Sequence, residues 1–279
     1  RQEIGNEETV KDNFAITWFE NRLNESRIEI DSLLKDFRLS EALKTIYSLI
    51  WDDFCSWYLE WVKPGFEQPI ETKVYNKTAQ FFEELMQLLH PFMPFITEEI
   101  YHLLKERKEG DDITLKQFPG NNSPETEVLN TGIILKEIIT AIRDARNKNQ
   151  LKPKDIIRLH IQPSGELKAD PVKSILLKQV NAASLAYVKE AVPDTISIVV
   201  QKEKIFIETE IVLNTETQKE QLLKDLTHLK GFLTSVEKKL SNEKFVQNAK
   251  PEVIELEKKK QSDTEAKIKI IEQSLASLQ

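Results

Sequence analysis

The side chains able to do acid–base, nucleophilic or metal chemistry are few and scattered. Four histidines, His90, His102, His160 and His228, lie far apart in the sequence and in different predicted elements. None stands at a zinc-type spacing with Cys55, and a single thiol cannot build a cysteine-rich site. The carboxylate pairs Asp52-Asp53 and Glu98-Glu99 are adjacent in the chain. Adjacent residues on a helix diverge, so both pairs read as surface or capping groups, not as a converging acid and base. His160 on an alternating segment and His90 before a proline read as structural, and Cys55, close to Phe54 and Trp57, as a small buried residue. There is no G-x-x-x-x-G-K-[ST] loop and no G-x-G-x-x-G turn. The expectation is no catalytic, cofactor-binding or metal-binding residue in this chain.

Two other patterns suit nucleic acid. Residues 141–160 hold six basic side chains, Arg143, Arg146, Lys148, Lys152, Lys154 and Arg158, against Asp144 and Asp155. Such a patch binds phosphates even on an acidic chain, because counterion release depends on the phosphates contacted. The alternative is a solvated helix face. Trp51, Phe54, Trp57, Tyr58, Trp61 and Phe66 fall within sixteen residues. Aromatic faces stack unpaired bases at about 1–3 kcal/mol each. The same spacing suits a bundle core, where most of these rings are expected.

Composition bounds the rest. The chain has 279 residues, 39 basic against 46 acidic side chains, 40% hydrophobic and 30% charged residues, one cysteine and seven glycines. At about 150 residues per domain this allows two domains, or three. One cysteine excludes a disulfide framework and favours a reducing compartment, so a cytoplasmic protein is expected. No apolar run approaches the roughly 18 residues that span a bilayer. Residues 1–13 hold one Ile and one Val among charges, so no signal peptide is expected there. Residue 1 is arginine, and a processed product or a piece of a longer chain is expected. Charge is uneven: residues 1–120 carry 14 basic and 23 acidic residues, 121–212 carry 13 and 12, and 213–279 carry 12 and 11.

Periodicity places these residues on secondary structure. Residues 10–36 place Phe14, Trp18, Phe19, Leu23, Ile30, Leu33, Leu34 and Phe37 at helical spacing. Ser40 reads as the N-cap of a second helix reaching about Val62, with Leu43, Ile46, Tyr47, Ile50, Phe54, Trp57, Tyr58 and Trp61 on its apolar face. A third helix covers about 70–90, and the prolines of His90-Pro91-Phe92-Met93-Pro94 break it before a fourth at about 95–107. Four amphipathic helices with short links make a bundle.

After a linker at 111–124 comes a helix at about 126–149, and then the period changes to two. Ile157–Ile161, Ile196–Val200 and Ile205–Ile207 alternate as strands do, with Lys202-Glu203-Lys204 as a hairpin-like turn. A helix at 171–181 and a strand at Leu185–Lys189 complete a small α/β unit with a mainly antiparallel sheet. In the tail, Leu222, Leu226, Leu229, Leu233, Val236 and Leu240 step by 4, 3, 4, 3, 4, which is a coiled-coil seam. A second seam runs through Ile254, Glu257, Gln261, Thr264, Ile268, Ile271, Leu275 and Leu278. The break at 242–250 lets the two fold back as an antiparallel hairpin about 37 Å long. The polar middle of the second seam leaves sliding or splaying of the helices open. The expected domains are 1–120, 121–212 and 213–279.

Several segments resemble a known family. Trp51-Asp52-Asp53-Phe54-Cys55-Ser56-Trp57-Tyr58-Leu59-Glu60, followed by Lys63-Pro64, is similar to the anticodon-binding bundle of valyl-tRNA synthetases. Leu89-His90-Pro91-Phe92-Met93-Pro94-Phe95-Ile96-Thr97-Glu98-Glu99-Ile100 resembles the last helices of that bundle and recurs in isoleucyl and leucyl relatives. Asn13–Ile16 and Trp18–Leu23 fit the same domain. Val236–Val246, followed by Ala249-Lys250-Pro251-Glu252-Val253, resembles the hairpin of the C-terminal arm. An isoleucyl enzyme often carries a cysteine-rich zinc element there, and no cysteine follows Cys55. The resemblance covers nearly the whole chain and is weakest over 155–212.

The resemblance implies a mainly α chain: a class Ia anticodon-binding helical bundle, a small α/β domain and a C-terminal coiled-coil arm. It implies valine tRNA as partner, no DNA, no membrane and a monomer. The catalytic domain with its HIGH-like and KMSKS-like signatures, and the editing domain, are not in this sequence. ATP and magnesium are therefore expected for the parent enzyme only, and this chain alone should be inactive. Arg143, Arg146, Lys148, Lys152 and Lys154 become the leading anticodon-side candidates, because Arg143 and Arg146 share a helix face and guanidinium suits phosphate. Arg22, Arg27 and Arg38 rank second. Lys238, Lys239 and Lys244 near the hairpin tip, and Lys258, Lys259 and Lys260 on the return helix, are candidates for the outer corner of the tRNA. The alternatives are a coiled-coil scaffold, with the hairpin as a dimerisation element, and the equivalent region of an isoleucyl or leucyl enzyme.

Overall fold

A computed structural model describes residues 14–65, 67–118, 120, 122–162, 172–209, 215–242, 245, 249 and 251–277. The chain forms two compact units with the boundary between Gly132 and Ile133.

The first unit is helical. Helix α1 (Phe14–Lys35) leads into α2 (Leu39–Ser48), a π-helical stretch (Leu49–Tyr58) and α3 (Leu59–Val62). Helices α4 (Thr72–Leu89) and α5 (Pro94–Leu104) follow, then a 3-10 turn (Ile113–Leu115). Pro94 opens α5, where its missing donor costs nothing. Phe19 sits at the centre of the core, with its ring 5.0–5.2 Å from those of Phe54, Tyr58 and Phe81. Trp18 packs on Trp61 at 4.6 Å. Fully burying a ring of this kind stabilises the fold by about 1.5–3 kcal/mol.

Four expectations for this unit are corrected. Ser40 is not the N-cap: α2 begins at Leu39 after Arg38, with no side-chain cap. Phe37 ends α1 with φ 57° and is 87% exposed, because the left-handed turn carries its ring out of the helical face. Tyr47 also leaves the core, at 63% exposed, and Cys55 is only partly buried, with desolvation raising its thiol pKa. The wider π turn explains part of this, since it breaks the 3.6-residue spacing on which a single continuous face depends.

The second unit contains most of α6 (Thr126–Lys148), then β1 (Ile157–Gln162), α7 (Lys173–Gln179), β2 (Ala182–Tyr187), β3 (Ile196–Val200) and β4 (Glu203–Thr209). The sheet order is β2-β1-β4-β3. β1 pairs antiparallel with β4, and β4 with β3, whereas β2 runs parallel to β1 across the α7 crossover. Ile157, Leu159 and Ile161 alternate inward, opposite Ile207 and Ile205 of β4. β2 starts three residues before the expected Leu185, and the β3–β4 turn is Gln201-Lys202, with Gln201 at φ 52°. Glu203 and Lys204 belong to the strand.

Helices α8 (Thr215–Leu240) and α9 (Pro251–Ser277) pair antiparallel, as the Lys230–Glu272 contact at 2.8 Å and the Lys239–Glu257 contact at 3.7 Å require. The seam follows the sequence reading. Val236, Glu257, Thr264 and Ile268 are buried, and Leu222, Leu226, Leu229, Leu233, Ile254 and Ile271 are partly buried. The polar side chains of its middle bond mostly within α9: the Thr264 hydroxyl donates to the Lys260 carbonyl at 2.6 Å, and Lys260 Nζ donates to Glu257 at 2.7 Å, while Lys239 of α8 reaches Glu257 at 3.7 Å. Leu278 lies outside the described residues.

Candidate nucleic-acid interface

The basic stretch is built by the end of α6 and the loop after it. Gln150, at φ 57°, turns the chain out of the helix, and Leu151 buries its side chain. Pro153 prevents renewed helix, and the Lys152 amide donates to the Asp155 carboxylate at 2.6 Å. Arg146 is 5% exposed and lies inside this loop. Its Nη1 donates to the Val180 carbonyl at 2.9 Å, and its Nη2 to the carbonyls of Lys152 at 2.8 Å, Pro153 at 3.2 Å and Asp155. Burial lowers the guanidinium pKa and the nearby Asp155 opposes that shift; arginine keeps its charge throughout.

The consequence divides the five leading candidates. Arg146, 5% exposed, gives both of its terminal nitrogens to backbone carbonyls of the loop and of Val180. It does share a face with Arg143, whose guanidinium is exposed and donates to Gln179 Oε1 at 2.9 Å. Lys152 and Lys154 are exposed on the loop that Arg146 gathers, and no acidic side chain among the described residues pairs with their ammonium groups. Lys148 is paired with Asp225 of α8 at 3.0 Å. Arg158 is paired with Glu208, which also accepts from His160.

The second-rank arginines are committed in the first unit. Arg22 donates to Asp53 at 3.1 and 2.8 Å and to Glu25. Desolvation works against its charge, and the Asp53 carboxylate outweighs that and raises its pKa. Asp53 is 5% exposed, so it is a buried ion-pair partner and not the surface group expected. Arg27, also buried, bridges Asn24 and Glu84. Arg38 is exposed and held by Glu41. The partners of Arg22 and Arg27 across the bundle are not announced by the local pattern.

On the arm, Lys238, Lys258 and Lys259 are exposed, whereas Lys239 and Lys260 flank the buried Glu257. Lys260 first, then Lys239, holds the Glu257 carboxyl below its ordinary pKa. Lys244 lies outside the described residues.

Two groupings stand outside the candidates drawn from the sequence. Tyr47 and Trp51 stack in the open, with centroids 6.5 Å apart and planes at 16°, while Phe54, Tyr58 and Trp61 are buried. Their i, i+4 spacing is the signal that points to the pair. His90 and His102, twelve residues apart, both approach Glu98, at 4.0 and 3.4 Å. Glu98 accepts the amides of Ile113 and Thr114 at 2.8 and 3.2 Å, so it caps the 3-10 turn. With His102 and Asp112 it forms a group of three side chains, two carboxylates and an imidazole, whose potential ligand atoms lie within 4.8 Å of one another. Magnesium favours all-oxygen ligation with retained water, so this imidazole-containing set does not suit it.

Comparison with known proteins adds the family context. Residues 17–161 match the family model of the anticodon-binding domain of tRNA ligase, and residues 214–279 that of the valyl tRNA synthetase tRNA binding arm. A valine–tRNA ligase of Parabacteroides distasonis is 41% identical over 264 residues, covering 95% of this chain and 30% of that protein. The valine–tRNA ligase of Porphyromonas gingivalis is 39% identical, again over 95% of this chain and 30% of the relative. That of Aquifex aeolicus is 31% identical, over 94% of this chain and 24% of the relative. The chain thus spans about 30% or less of the length of these relatives.

Proposed function

Because the chain belongs to the family of tRNA-ligase anticodon-binding domains and carries the tRNA-binding arm of valyl-tRNA synthetases, we propose that it is the tRNA-binding part of a valine–tRNA ligase. The observation that carries the reading is local. The family match over 17–161 takes in the loop on which Lys152 and Lys154 are held outward without acidic partners among the described residues.

Residues 1–120 act as the anticodon-binding bundle, 121–212 as the small basic α/β domain, and 213–279 as the arm. Arg143, Lys152 and Lys154 contact phosphates, which position RNA without reading its sequence. Tyr47 and Trp51 offer the exposed ring faces on which unpaired anticodon bases stack. Lys238, Lys258 and Lys259 meet the outer corner of the tRNA. The α8 seam is filled by α9 of the same chain, which favours a monomer over a dimerising scaffold.

Attachment of valine, with its ATP and magnesium, belongs to the part of the parent enzyme outside this chain. The residues of this chain therefore bind and orient tRNA, and no bond-making step is placed on them. No described helix is long and apolar enough to cross a membrane. The working compartment is the cytoplasm, and DNA is not a partner.

Fluorescence anisotropy of labelled valine tRNA over a salt series, with isoleucine tRNA as competitor, tests the reading. Salt-steep binding that prefers valine tRNA is expected. Equal competition by isoleucine tRNA would leave a general class I tRNA-binding region. Absence of binding at low salt, with self-association in light scattering, would favour the scaffold reading.

A further inference from the structure

Lys148 is the last residue of α6, and Asp225 stands 77 residues later in α8 of the arm. Lys148 Nζ lies 3.0 Å from Asp225 Oδ2 and 3.3 Å from Oδ1. Both side chains keep solvent access, at 44% and 37%. The same two side chains rim a cavity of about 320 Å³ whose apolar lining includes Ala141, Ala145, Ile196, Ile198, Leu222 and Leu229. The root of the arm is thus not sealed by close packing at this point, and an ionic contact spans the gap between α6 and α8.

We propose that Asp225 is an internal competitor for RNA phosphate: it occupies Lys148 in the free protein, and bound tRNA displaces it. The proposal rests on the tRNA-binding reading above. A carboxylate and a phosphate present the same acceptor chemistry to an ammonium group, so one can replace the other at Lys148. An exposed pair of this kind shifts an equilibrium by no more than about fivefold, so a polyanion that touches many further cations displaces it readily. Asp225 therefore sets the affinity of the cationic edge and couples it to the arm. While Lys148 is taken by Asp225, α8 is tethered to α6; once a phosphate takes Lys148, that tether is gone.

The test is valine tRNA binding by the full chain at low salt. Asp225→Asn is expected to tighten binding about twofold to fivefold, and Asp225→Glu, which keeps the competitor, to leave it near the unmodified value. Lys148→Ala weakens binding, and adding Asp225→Asn to Lys148→Ala is expected to give no gain. Unchanged or weaker binding by Asp225→Asn overturns the proposal. So does a gain that persists without Lys148, because removal of general repulsion would then be sufficient. Asp225→Ser supplies the same comparison if circular dichroism shows that the amide disturbs the fold. Failure of the unmodified chain to bind any tRNA would remove the tRNA-binding reading itself, a different result from binding that ignores Asp225.

Discussion

Nη2 of Arg146 donates to the carbonyl oxygen of Lys152 at 2.8 Å. A guanidinium of the type that grips phosphate thus grips the backbone of a lysine that faces solvent. The arrangement separates a supporting cation from the exposed ones around it.

Arg146→Ala is expected to destabilise the second unit by about 3 kcal/mol, because it leaves several carbonyls in or near the interior without a donor. Arg146→Lys should restore little, since one ammonium cannot reproduce the planar fork. Lys152→Ala with Lys154→Ala should leave the melting temperature unchanged and weaken tRNA binding. The slope of log affinity against log salt should become shallower by about 1 for each phosphate that is no longer neutralised. Thermal unfolding together with the salt series separates the two outcomes; an unchanged slope removes this loop from the interface.

Gly132 tests the packing of the first unit. A β-carbon there would collide with Cδ1 and Nε1 of Trp18, and the Trp18 ring is fully buried against Trp61. Gly132→Ala should therefore cost about 1–3 kcal/mol, although alanine is the better helix former. A denaturant midpoint equal to that of the unmodified protein would show that the ring yields without cost.

The arm carries a substitution that should raise stability. Glu257 occupies a seam position and is held by Lys260 at 2.7 Å and Lys239 at 3.7 Å. Glu257→Leu restores the apolar seam and should raise the melting temperature of the hairpin. Lys260→Ala, which strands the carboxylate, should lower it. Circular dichroism melts of both variants check the opposite signs.

Asp111 gives a pH signature. Lys116 Nζ at 2.6 Å and the Tyr101 hydroxyl at 3.0 Å hold its pKa down to about 2. A depressed folded-state pKa adds stability above the unfolded value of about 3.9, and that stability is lost as pH falls toward 2. Asp111→Asn should therefore melt lower than the unmodified protein at pH 7, and the gap should close between about pH 4 and pH 2. A gap that persists at the acid end of that range would assign the effect to packing.

Much of the fold is legible because apolar spacing is local. The α8 seam from Leu222 to Leu240 and the alternation of Ile157, Leu159 and Ile161 require no knowledge of their partners. The ends of elements are less legible. Leu39 starts α2 without a side-chain cap, and Gln201 takes a left-handed turn that its residue type does not signal. Spacing alone puts Tyr47 on one face with Phe54 and Trp61, but the π-helical turns that begin at Leu49 lie between them and shift that register.

The helical bundle, the change to strands near residue 157, the hairpin and the family resemblance can be read from the chain before it folds, since all of these are written in residue type and spacing along a few turns. Which cations are available depends on folding. Arg146 is taken by Val180, 34 residues away; Lys148 by Asp225, 77 away; Arg22 by Asp53, 31 away; and Arg27 by Glu84, 57 away. A charge in a sequence has no partner until the chain folds. Burial and the carbonyls or carboxylates brought beside it then set whether it supports the fold or faces an incoming phosphate.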